Sequence, residues 1–544
     1  MGDTNRPRLV FQPKACRGMQ RGINLMVDAV RPTLGPLPRN VAIDRIVKTE
    51  SKSYAELLDD GGLIARRILQ LPDPDADMGA MFIRQLLWQQ HLLVGDGTAL
   101  TAVLFQSVYN QGLKYIAAGG NAMRLRGFLE KGMRVVIKEL ETMARPLEGE
   151  EAIAQLAESV CHDEALAKVL GEVFDVIGAW GQLEIRSGHG RHVEHEYYFG
   201  PFFKSGVFSE YLVANHVNAR VQVEEAAILL TDLALEEPSH IVPVLKTIFE
   251  SGHKGVLLFA RSVSENVMSV LLSINAQLAP FQVVAVKSPD ALHGQPEFLL
   301  DLEVLTGGRA FLRAAGDDLA SFTPDDLGTA RRIWADKTFV GINGPQGLAL
   351  DTIAYVEALK TAHAHAEKAD DRKKLLSRIN LFYGGAALIQ VGGLTKHDID
   401  ARKALTERTA QVIRRTLMTG ILPGGGVSLI ACRSALAVLA DEAQDLDEQT
   451  AYRIISLAME EPLRSLLMNG GYSPGPILHD IIQAGAGCGF DLRTEKIVDM
   501  FESGVIDSAE VIRTATHEAI ASAALALTID VLVHHRKPET SMDP

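Results

Sequence analysis

A short turn at residues 95–98 has residue types that could bind a phosphate and a metal ion. It reads Gly-Asp-Gly-Thr and separates two long stretches in which apolar residues recur at helical spacing. Two glycines let the backbone approach a ligand closely, and the helix that follows offers unpaired N–H groups to an anion. An aspartate in such a turn would repel a bare phosphate but suits a phosphate-bound Mg²⁺. The alternative is a plain connection between two helices with an acidic N-cap.

Three more glycine turns lie far from the first in the sequence and could contribute to the same site. Residues 33–36 form a Gly-Pro turn between a helix and a strand, which leaves backbone amides free and could border a phosphate. Residues 58–62 form a second acidic turn that could share a cation with the first, and residues 423–426 place three glycines at the start of a helix. Each turn is also compatible with a simple solvated loop.

Other familiar active-site patterns are missing. The sequence has no Walker A motif, no G-x-S-x-G elbow, no H-E-x-x-H pair and no kinase-like pattern. An active site would therefore have to be assembled from the separated glycine turns.

Composition limits the class of protein. The 544 residues are enough for several domains, and 47% hydrophobic, 22% charged and 6% aromatic residues are typical of a helix-rich globular protein. A net charge of −14 disfavours binding to nucleic acid or to an anionic membrane. The four cysteines are far apart, which indicates reduced thiols, and neither a signal peptide nor an apolar run of membrane-spanning length is evident. We expect a cytoplasmic protein with no nucleic-acid or membrane partner.

The elements around the turns differ along the chain. Helical periodicity dominates both ends, including one helix over residues 427–440 and a last helix over residues 508–533. Residues 199–385 instead alternate short β-rich runs with helices, which predicts a small α/β domain with a parallel core. No G-x-G-x-x-G follows its strands, so a dinucleotide is not expected there.

The ordered turns resemble those of a group I chaperonin, the GroEL family, over roughly residues 9–535. The motifs that carry the resemblance lie at residues 28–36, 39–41, 60–61, 95–98, 305–308, 384–385, 423–426 and 504–507. One such turn would mean little, whereas the whole set in this order is specific.

The resemblance implies a multi-domain chaperonin fold, mainly α with α/β parts. Residues 1–142 and 419–544 would form a helical equatorial domain, residues 143–198 and 386–418 a small α/β intermediate domain, and residues 199–385 an α/β apical domain. In this family such subunits stack as two back-to-back rings that enclose unfolded protein and are driven by ATP. The implied partners are unfolded or partly folded proteins and other subunits in a homo-oligomer or a mixed ring with a paralogue. The resemblance also allows a co-chaperonin.

The resemblance also assigns residues, position by position. Asp96 would hold Mg²⁺, Asp60 would lie beside the attacking water, and Asp507 would bind the ribose hydroxyls. The full set implied for ATP is Thr33, Leu34, Gly35, Pro36, Asp96, Gly97, Thr98, Gly425, Asp491, Leu492, Arg493 and Asp507. The set implied for client protein is Val207, Tyr211, Leu212, Val242, Leu245, Met268 and Leu272, of which some could simply be core residues.

The departures from the family pattern lie mainly at positions that the resemblance implies for phosphate binding and ATP hydrolysis. Ala99 and Leu100 replace two hydroxyl residues that would bond phosphate, and Asp59 replaces a lysine on the phosphate side. Counted back from the glycines at 423–426, the family's catalytic aspartate falls on Arg408, with Glu407 just before it. An arginine cannot accept the proton of an attacking water.

Three consequences of Arg408 remain open from the sequence. Glu407 could substitute, although moving it into place needs a helix rotation of about 100°. Arg408 could contact the γ-phosphate and hold ATP without hydrolysing it, or it could pair with a neighbouring acid in a decayed site. We predict a chaperonin-like ring subunit that binds unfolded protein and ATP–Mg²⁺ and hydrolyses ATP slowly or not at all. The alternatives are a fully active ATP-dependent folding chaperonin and a non-catalytic scaffold or adaptor that keeps the fold.

Overall fold

A computed structural model of the chain describes residues 8–36, 38–44, 56–188, 190–213, 220–278, 280–288, 295–347, 349–366, 368–383 and 385–534. The chain forms two compact units. We call Met1–Asp175 together with Ala404–Pro544 the helical unit, and Val176–Lys403 the α/β unit. Gly384, one residue of the motif at 384–385, lies outside the described residues.

The first part of the helical unit is a run of long helices with one short strand before them and a two-stranded hairpin between them. Its elements are β1 (Arg8–Phe11), α1 (Lys14–Val30), β2 (Val41–Ile43), β3 (Glu56–Leu58), α2 (Gly61–Arg67), α3 (Pro74–Val94), α4 (Thr98–Ala117), α5 (Ala122–Met143), α6 (Glu150–Cys161) and α7 (Glu164–Ile177).

The α/β unit is built on two sheets. Its elements are β4 (Gln182–Ser187), β5 (Glu194–Phe199), β6 (Phe202–Phe203), β7 (Val221–Thr231), β8 (Ala234–Leu235), α8 (Pro238–Glu250), β9 (Gly255–Ala260), β10 (Ser262–Val263), α9 (Glu265–Gln277), β11 (Gln282–Lys287), α10 (Gln295–Thr306), β12 (Ala310–Phe311), β13 (Gly328–Ala335), β14 (Val340–Pro345), α11 (Ala349–His365), α12 (Ala369–Asn380) and β15 (Gly385–Val391).

The remaining elements complete the helical unit. They are α13 (Lys396–Thr419), β16 (Ile421–Pro423), α14 (Val427–Ala431), α15 (Arg433–Glu442), α16 (Leu446–Ala458), α17 (Glu461–Asn469), α18 (Pro474–Ala484), β17 (Cys488–Asp491), β18 (Lys496–Asp499), β19 (Ile506–Ser508), α19 (Ala509–Ala526) and β20 (Val531–His534). The unit boundaries fall within α7 and α13.

The core of the helical unit lies between α1, α3, α4, α5, α16 and α19. Helix α1 buries Met19, Ile23 and Met26 on one face, as its spacing of three and four residues requires. Glycines allow α1 to pack closely on α3, because a Cβ at Gly22 would lie 1.7 Å from the carbonyl oxygen of Ala76. The core helix α4 is buried over most of its N-terminal half, where it holds the turn at residues 95–98 in place.

The larger sheet of the α/β unit confirms the predicted parallel core and extends it. Strands β11, β9 and β7 run parallel, and β13, β14 and β6 continue the sheet antiparallel. The smaller sheet has the order β4-β15-β5. In the larger sheet, β9 and most of β7 and β11 are buried because helices pack against them.

Two predictions about helix ends were wrong. The last helix ends at Ala526 rather than near residue 533, and β20 follows, pairing antiparallel with β1. Valines at 531 and 533 suit a strand, and the partner strand 520 residues earlier could not be seen from local periodicity. The predicted helix over 427–440 is divided at Cys432 into α14 and α15. Within the described ranges, no helix combines the length and the apolar character needed to cross a membrane.

Candidate functional site

The separated glycine turns meet at one cavity of about 460 Å³ within the helical unit. All twelve residues that the resemblance assigned to ATP line it, together with Asp60 and Arg408. Among the described residues that line the cavity, α13 contributes Arg408 and Val412, one helical turn apart, while Glu407 is exposed and is not part of the lining. The packing of α13 therefore presents Arg408, and not Glu407, to the cavity.

The turn at residues 95–98 forms one wall of the cavity. Gly95 ends α3 and Gly97 begins α4, both with positive φ, at 86° and 78°. Gln90 Nε2 donates a hydrogen bond to the Asp96 carbonyl oxygen at 3.0 Å, and the Thr101 hydroxyl donates to the Gly97 carbonyl oxygen at 2.9 Å. The N-cap residue of α4 is Gly97, which has no side chain to cap the first turn, so within the described part of the chain these N–H groups are available to an anion.

The Gly-Pro turn at residues 33–36 is fixed against the end of α17. Asn469 Nδ2 donates to the carbonyl oxygens of Arg31 and Leu34, at 3.0 and 2.8 Å. Gly35 has a φ of 119°, and a Cβ there would lie 2.8 Å from a methyl of Leu466. The turn is thus held by side chains more than 430 residues away in sequence, which positions its backbone at the cavity.

Asp60 is buried at the start of α2 and is the most heavily engaged acid in the cavity. Its carboxylate accepts the Leu63 N–H at 2.9 Å as an N-cap and an Nη1 hydrogen bond from Arg408. His91 Nδ1 lies 3.4 Å from the same carboxylate. Burial opposes ionisation, but the contact with His91 and the charge of Arg408 outweigh it and lower the pKa of Asp60 to about 2. Asp60 is therefore a paired carboxylate with little basicity.

Asp96 and Asp507, in contrast to Asp60, are acids of the cavity lining that resist ionisation. Burial raises the pKa of Asp96, and the Arg408 charge offsets only part of that rise. Burial, with the neighbouring Asp96 charge, raises the pKa of Asp507 to about 7. A cation bound in the cavity would favour the charged forms of both carboxylates.

The donor set fits Mg²⁺ only as part of a phosphate complex. Among the described residues, no group of three or more His, Cys, Asp or Glu side chains forms a metal site by itself. Mg²⁺ commonly uses one or two carboxylates and completes its shell with water and phosphate oxygens. Asp96, which lines the cavity and lies two positions before the first residue of α4, would supply such a carboxylate.

Another part of the cavity wall is formed by the end of β17 and the loop that follows it. The Asp491 carboxylate accepts the Arg493 N–H at 2.9 Å and the Thr494 hydroxyl at 2.8 Å, so it stabilises its own turn. Arg493 Nη2 donates to Glu158 of α6 at 2.8 Å. Apolar side chains of Leu492 and Phe490 line this part of the cavity. It offers a partly apolar surface next to backbone polar groups, as a planar ring would require.

The structure adds residues that the sequence reasoning missed. His162 lines the cavity with a φ of 53°, at the end of α6, and Gln155 and Ser159 of the same helix also line it. Burial lowers the pKa of His162, while the charges of Asp96 and Asp59 raise it. Helix α6 lies within residues 143–198, which we predict to form part of an intermediate domain, and it belongs to the compact helical unit. The division into three domains stays a prediction. His91 could have been found, because it lies one helical turn before Gly95.

The residues assigned to client binding have different environments within the α/β unit. Val207, Leu212 and Leu245 are buried in its core, and Met268 and Leu272 are half-buried against that core. Tyr211 is 76% exposed and Val242 is 40% exposed. Only these two of the seven thus present a large apolar surface to solvent in this chain.

The match to a protein family agrees with the geometry. Residues 26–537 match the TCP-1/cpn60 chaperonin family, and the chain belongs to that family. The recognition of a GroEL-type chaperonin and of its mainly α fold with α/β parts is thereby confirmed.

A solved structure has the same fold. The chain is similar to the chaperonin gp146 from the bacteriophage EL 2 (Pseudomonas aeruginosa), crystallised in the presence of ATP-BeFx, with a TM-score of 0.67 and 18% identity. The match covers 97% of this chain and 99% of that one. At this identity the likeness establishes the fold alone.

Proposed function

We propose that this chaperonin is a ring subunit that binds unfolded protein and ATP–Mg²⁺ but hydrolyses ATP slowly or not at all. The observation that carries the proposal is the ion pair of Arg408 with Asp60 inside the cavity. The cavity has groups suited to a nucleotide, but the negative charge of Asp60 is already compensated by Arg408.

Several features support nucleotide binding. The cavity joins the uncapped first turn of α4, the Gly-Pro turn at residues 33–36 and the partly apolar surface near Leu492. Asp96 would hold Mg²⁺, and the bound ion would neutralise phosphate charge. The structural neighbour gp146 was crystallised with ATP-BeFx, which makes ATP a reasonable first ligand to test.

Impaired hydrolysis is expected because neither Asp60 nor Arg408, which stand at the positions that the resemblance makes catalytic, can act as an efficient general base. Efficient general-base catalysis uses a group whose pKa lies near the working pH, and the pKa of Asp60 is about 2. Arg408 has no acceptor atom and cannot take the proton. Glu407, the substitute that would support a fully active enzyme, does not line the cavity among the described residues.

Client binding is expected at a surface of the α/β unit, and assembly at a surface of the helical unit. In the α/β unit, Tyr211 and Val242 are the exposed apolar residues among those implied by the family. In the helical unit, β1 and β20 form a two-stranded sheet that exposes Leu9 and Phe11. Unpaired strand edges with apolar residues favour pairing with another subunit, either identical or paralogous.

Equilibrium ATP binding and steady-state phosphate release, both measured on the full chain with Mg²⁺, test the proposal. We expect saturable binding of ATP and a turnover near the detection limit. Brisk turnover would favour the active folding chaperonin, and absence of any nucleotide binding would leave the scaffold or adaptor. Particle mass in solution tests the ring, because a monomer could not enclose a client.

A further inference from the structure

The Arg408 side chain has hydrogen-bonding capacity that its contact with Asp60 does not use. A guanidinium carries five N–H donors in a fixed plane, and Nη1 donates to the Asp60 carboxylate. Nε is buried and has no hydrogen-bond partner among the described residues. A buried donor without an acceptor is unfavourable, so the site is incomplete in the protein alone.

Arg408 also lies where it can reach a ligand held by the turn at residues 95–98. A Cβ at Gly95 would lie 3.3 Å from Arg408 Cγ, so this part of α13 packs directly against that turn. The Arg408 charge acts on Asp96 and on His162, as well as on its partner Asp60. Its guanidinium therefore lies among the groups that border the N-terminus of α4.

The cavity lining carries more negative than positive side chains, so binding of a polyanion depends strongly on the Arg408 guanidinium. The described lining contains six carboxylates, from Asp59, Asp60, Asp96, Glu158, Asp491 and Asp507, but only two guanidinium groups, from Arg408 and Arg493. Arg493 donates to Glu158 and is held by the turn of Asp491. Arg408 is thus the guanidinium with an unpaired buried donor among the described lining residues, and each additional phosphate charge would need compensation.

We propose that Arg408 is the residue by which this site prefers a nucleoside triphosphate to a diphosphate. The guanidinium would keep Asp60 through Nη1 and donate its remaining N–H groups to an oxygen of the third phosphate, which a diphosphate lacks. This inference rests on the proposed nucleotide binding, and it adds that the site distinguishes a triphosphate from a diphosphate. An arginine that blocks hydrolysis would then also hold the unhydrolysed ligand.

The test compares the affinities of the full-length protein for Mg²⁺–ATP and Mg²⁺–ADP by calorimetric titration. The wild type should bind ATP at least about tenfold more tightly than ADP, as expected for one charge-assisted hydrogen-bonded contact. Arg408→Gln should bring the ratio of the two dissociation constants close to one, mainly by weakening ATP. Arg513→Gln is the matched control, because Arg513 pairs with Glu141 and Glu510 outside the cavity lining.

Asp60→Asn provides a second variant in case Arg408→Gln fails to fold. It weakens the hold on the guanidinium, so we expect ATP affinity to rise while ADP affinity changes little. If both nucleotides bind and neither variant changes the ratio, or if Arg408→Gln weakens both nucleotides equally, the inference is wrong while nucleotide binding stands. If neither nucleotide binds the wild type, the proposed function itself fails.

Discussion

Arg408 donates a hydrogen bond to the Asp60 carboxylate across 348 positions of sequence, and this contact joins the start of α2 to the middle of α13. Asp60 is at the same time the N-cap of α2 and lies against His91. One carboxylate thus serves helix stability and charge compensation, which leaves it poorly suited to activate water.

Replacing Arg408 by Asp should raise ATP turnover. The change removes the ion pair and supplies a carboxylate at the position from which α13 faces the cavity. Because general-base catalysis typically contributes at least about 100-fold, we expect steady-state phosphate release at saturating ATP to rise by that order. Arg408→Gln is the control, since it removes the ion pair without adding a base. Unchanged turnover in Arg408→Asp, with ATP binding retained, would show that Arg408 is not the blocking defect.

The acid stability of the helical unit should depend on Asp60. The pKa of Asp60 in the folded chain, about 2, lies below its value of 3.8 in the unfolded chain, so the ionised carboxylate stabilises the fold. This stabilisation is complete above about pH 4 and is lost as the pH falls towards 2; the shift corresponds to about 2 kcal/mol.

The measurement is unfolding by urea at a series of pH values, for the wild type and Asp60→Asn. Trp88 reports on the helical unit if Trp180 and Trp334, which belong to the α/β unit, are replaced by Phe in both proteins. The stability gap between the two proteins should stay constant from pH 7 to 5 and narrow below 4. A gap that is independent of pH would contradict the role given to the Asp60 charge.

Asp96→Asn should weaken nucleotide binding mainly through the loss of Mg²⁺. The amide keeps the size of the side chain but removes the negative charge that attracts the cation. We expect the affinity for ATP in the presence of Mg²⁺ to fall by about tenfold or more, a loss typical of a weakened metal ligand set. Affinity in excess chelator should change little. Asp441→Asn, an exposed change outside the cavity lining, should leave both values unaltered.

Gly97→Ala should be more damaging than Gly119→Ala. Both glycines have positive φ, 78° and 104°, so each alanine carries a backbone cost of about 1–2 kcal/mol. A Cβ at Gly97 would also lie 2.6 Å from Val511 Cγ1, whereas nothing lies within 4 Å of a Cβ at Gly119. Thermal unfolding should therefore show the larger loss for Gly97→Ala, by about a further 1–3 kcal/mol from the clash. Equal losses of stability in the two variants would indicate that Val511 of α19 moves to accommodate the added methyl group.

Client capture should depend on the two exposed residues of the family's set. Tyr211→Ser and Val242→Ser should each reduce the protein's ability to suppress aggregation of a chemically unfolded protein, measured by light scattering, because each removes accessible apolar area. Ile353→Ser, at a residue 62% exposed in α11, is the matched control and should have little effect. Leu245→Ser, at a buried residue, should lower stability instead. If Ile353→Ser reduces client capture as much as Tyr211→Ser and Val242→Ser do, client protein does not bind specifically at Tyr211 and Val242.

The sequence by itself determined the local conformations and the family. Gly-Asp-Gly-Thr at residues 95–98 has positive φ at both glycines and is followed directly by α4. The order of such turns along the chain is specific enough to identify a chaperonin. The parallel strands β7, β9 and β11 were likewise readable from alternating apolar runs and helices. These features depend on neighbouring residues, which the sequence lists directly.

The tertiary structure decided which groups meet. Counting back from the glycines at 423–426 put Arg408 at the expected base, but only the packing of α13 made Asp60 its partner. The same holds for His162, which α6 delivers to the cavity, and for β20, which pairs with β1 across the length of the chain. Such contacts depend on how whole helices pack. No local pattern can therefore specify them.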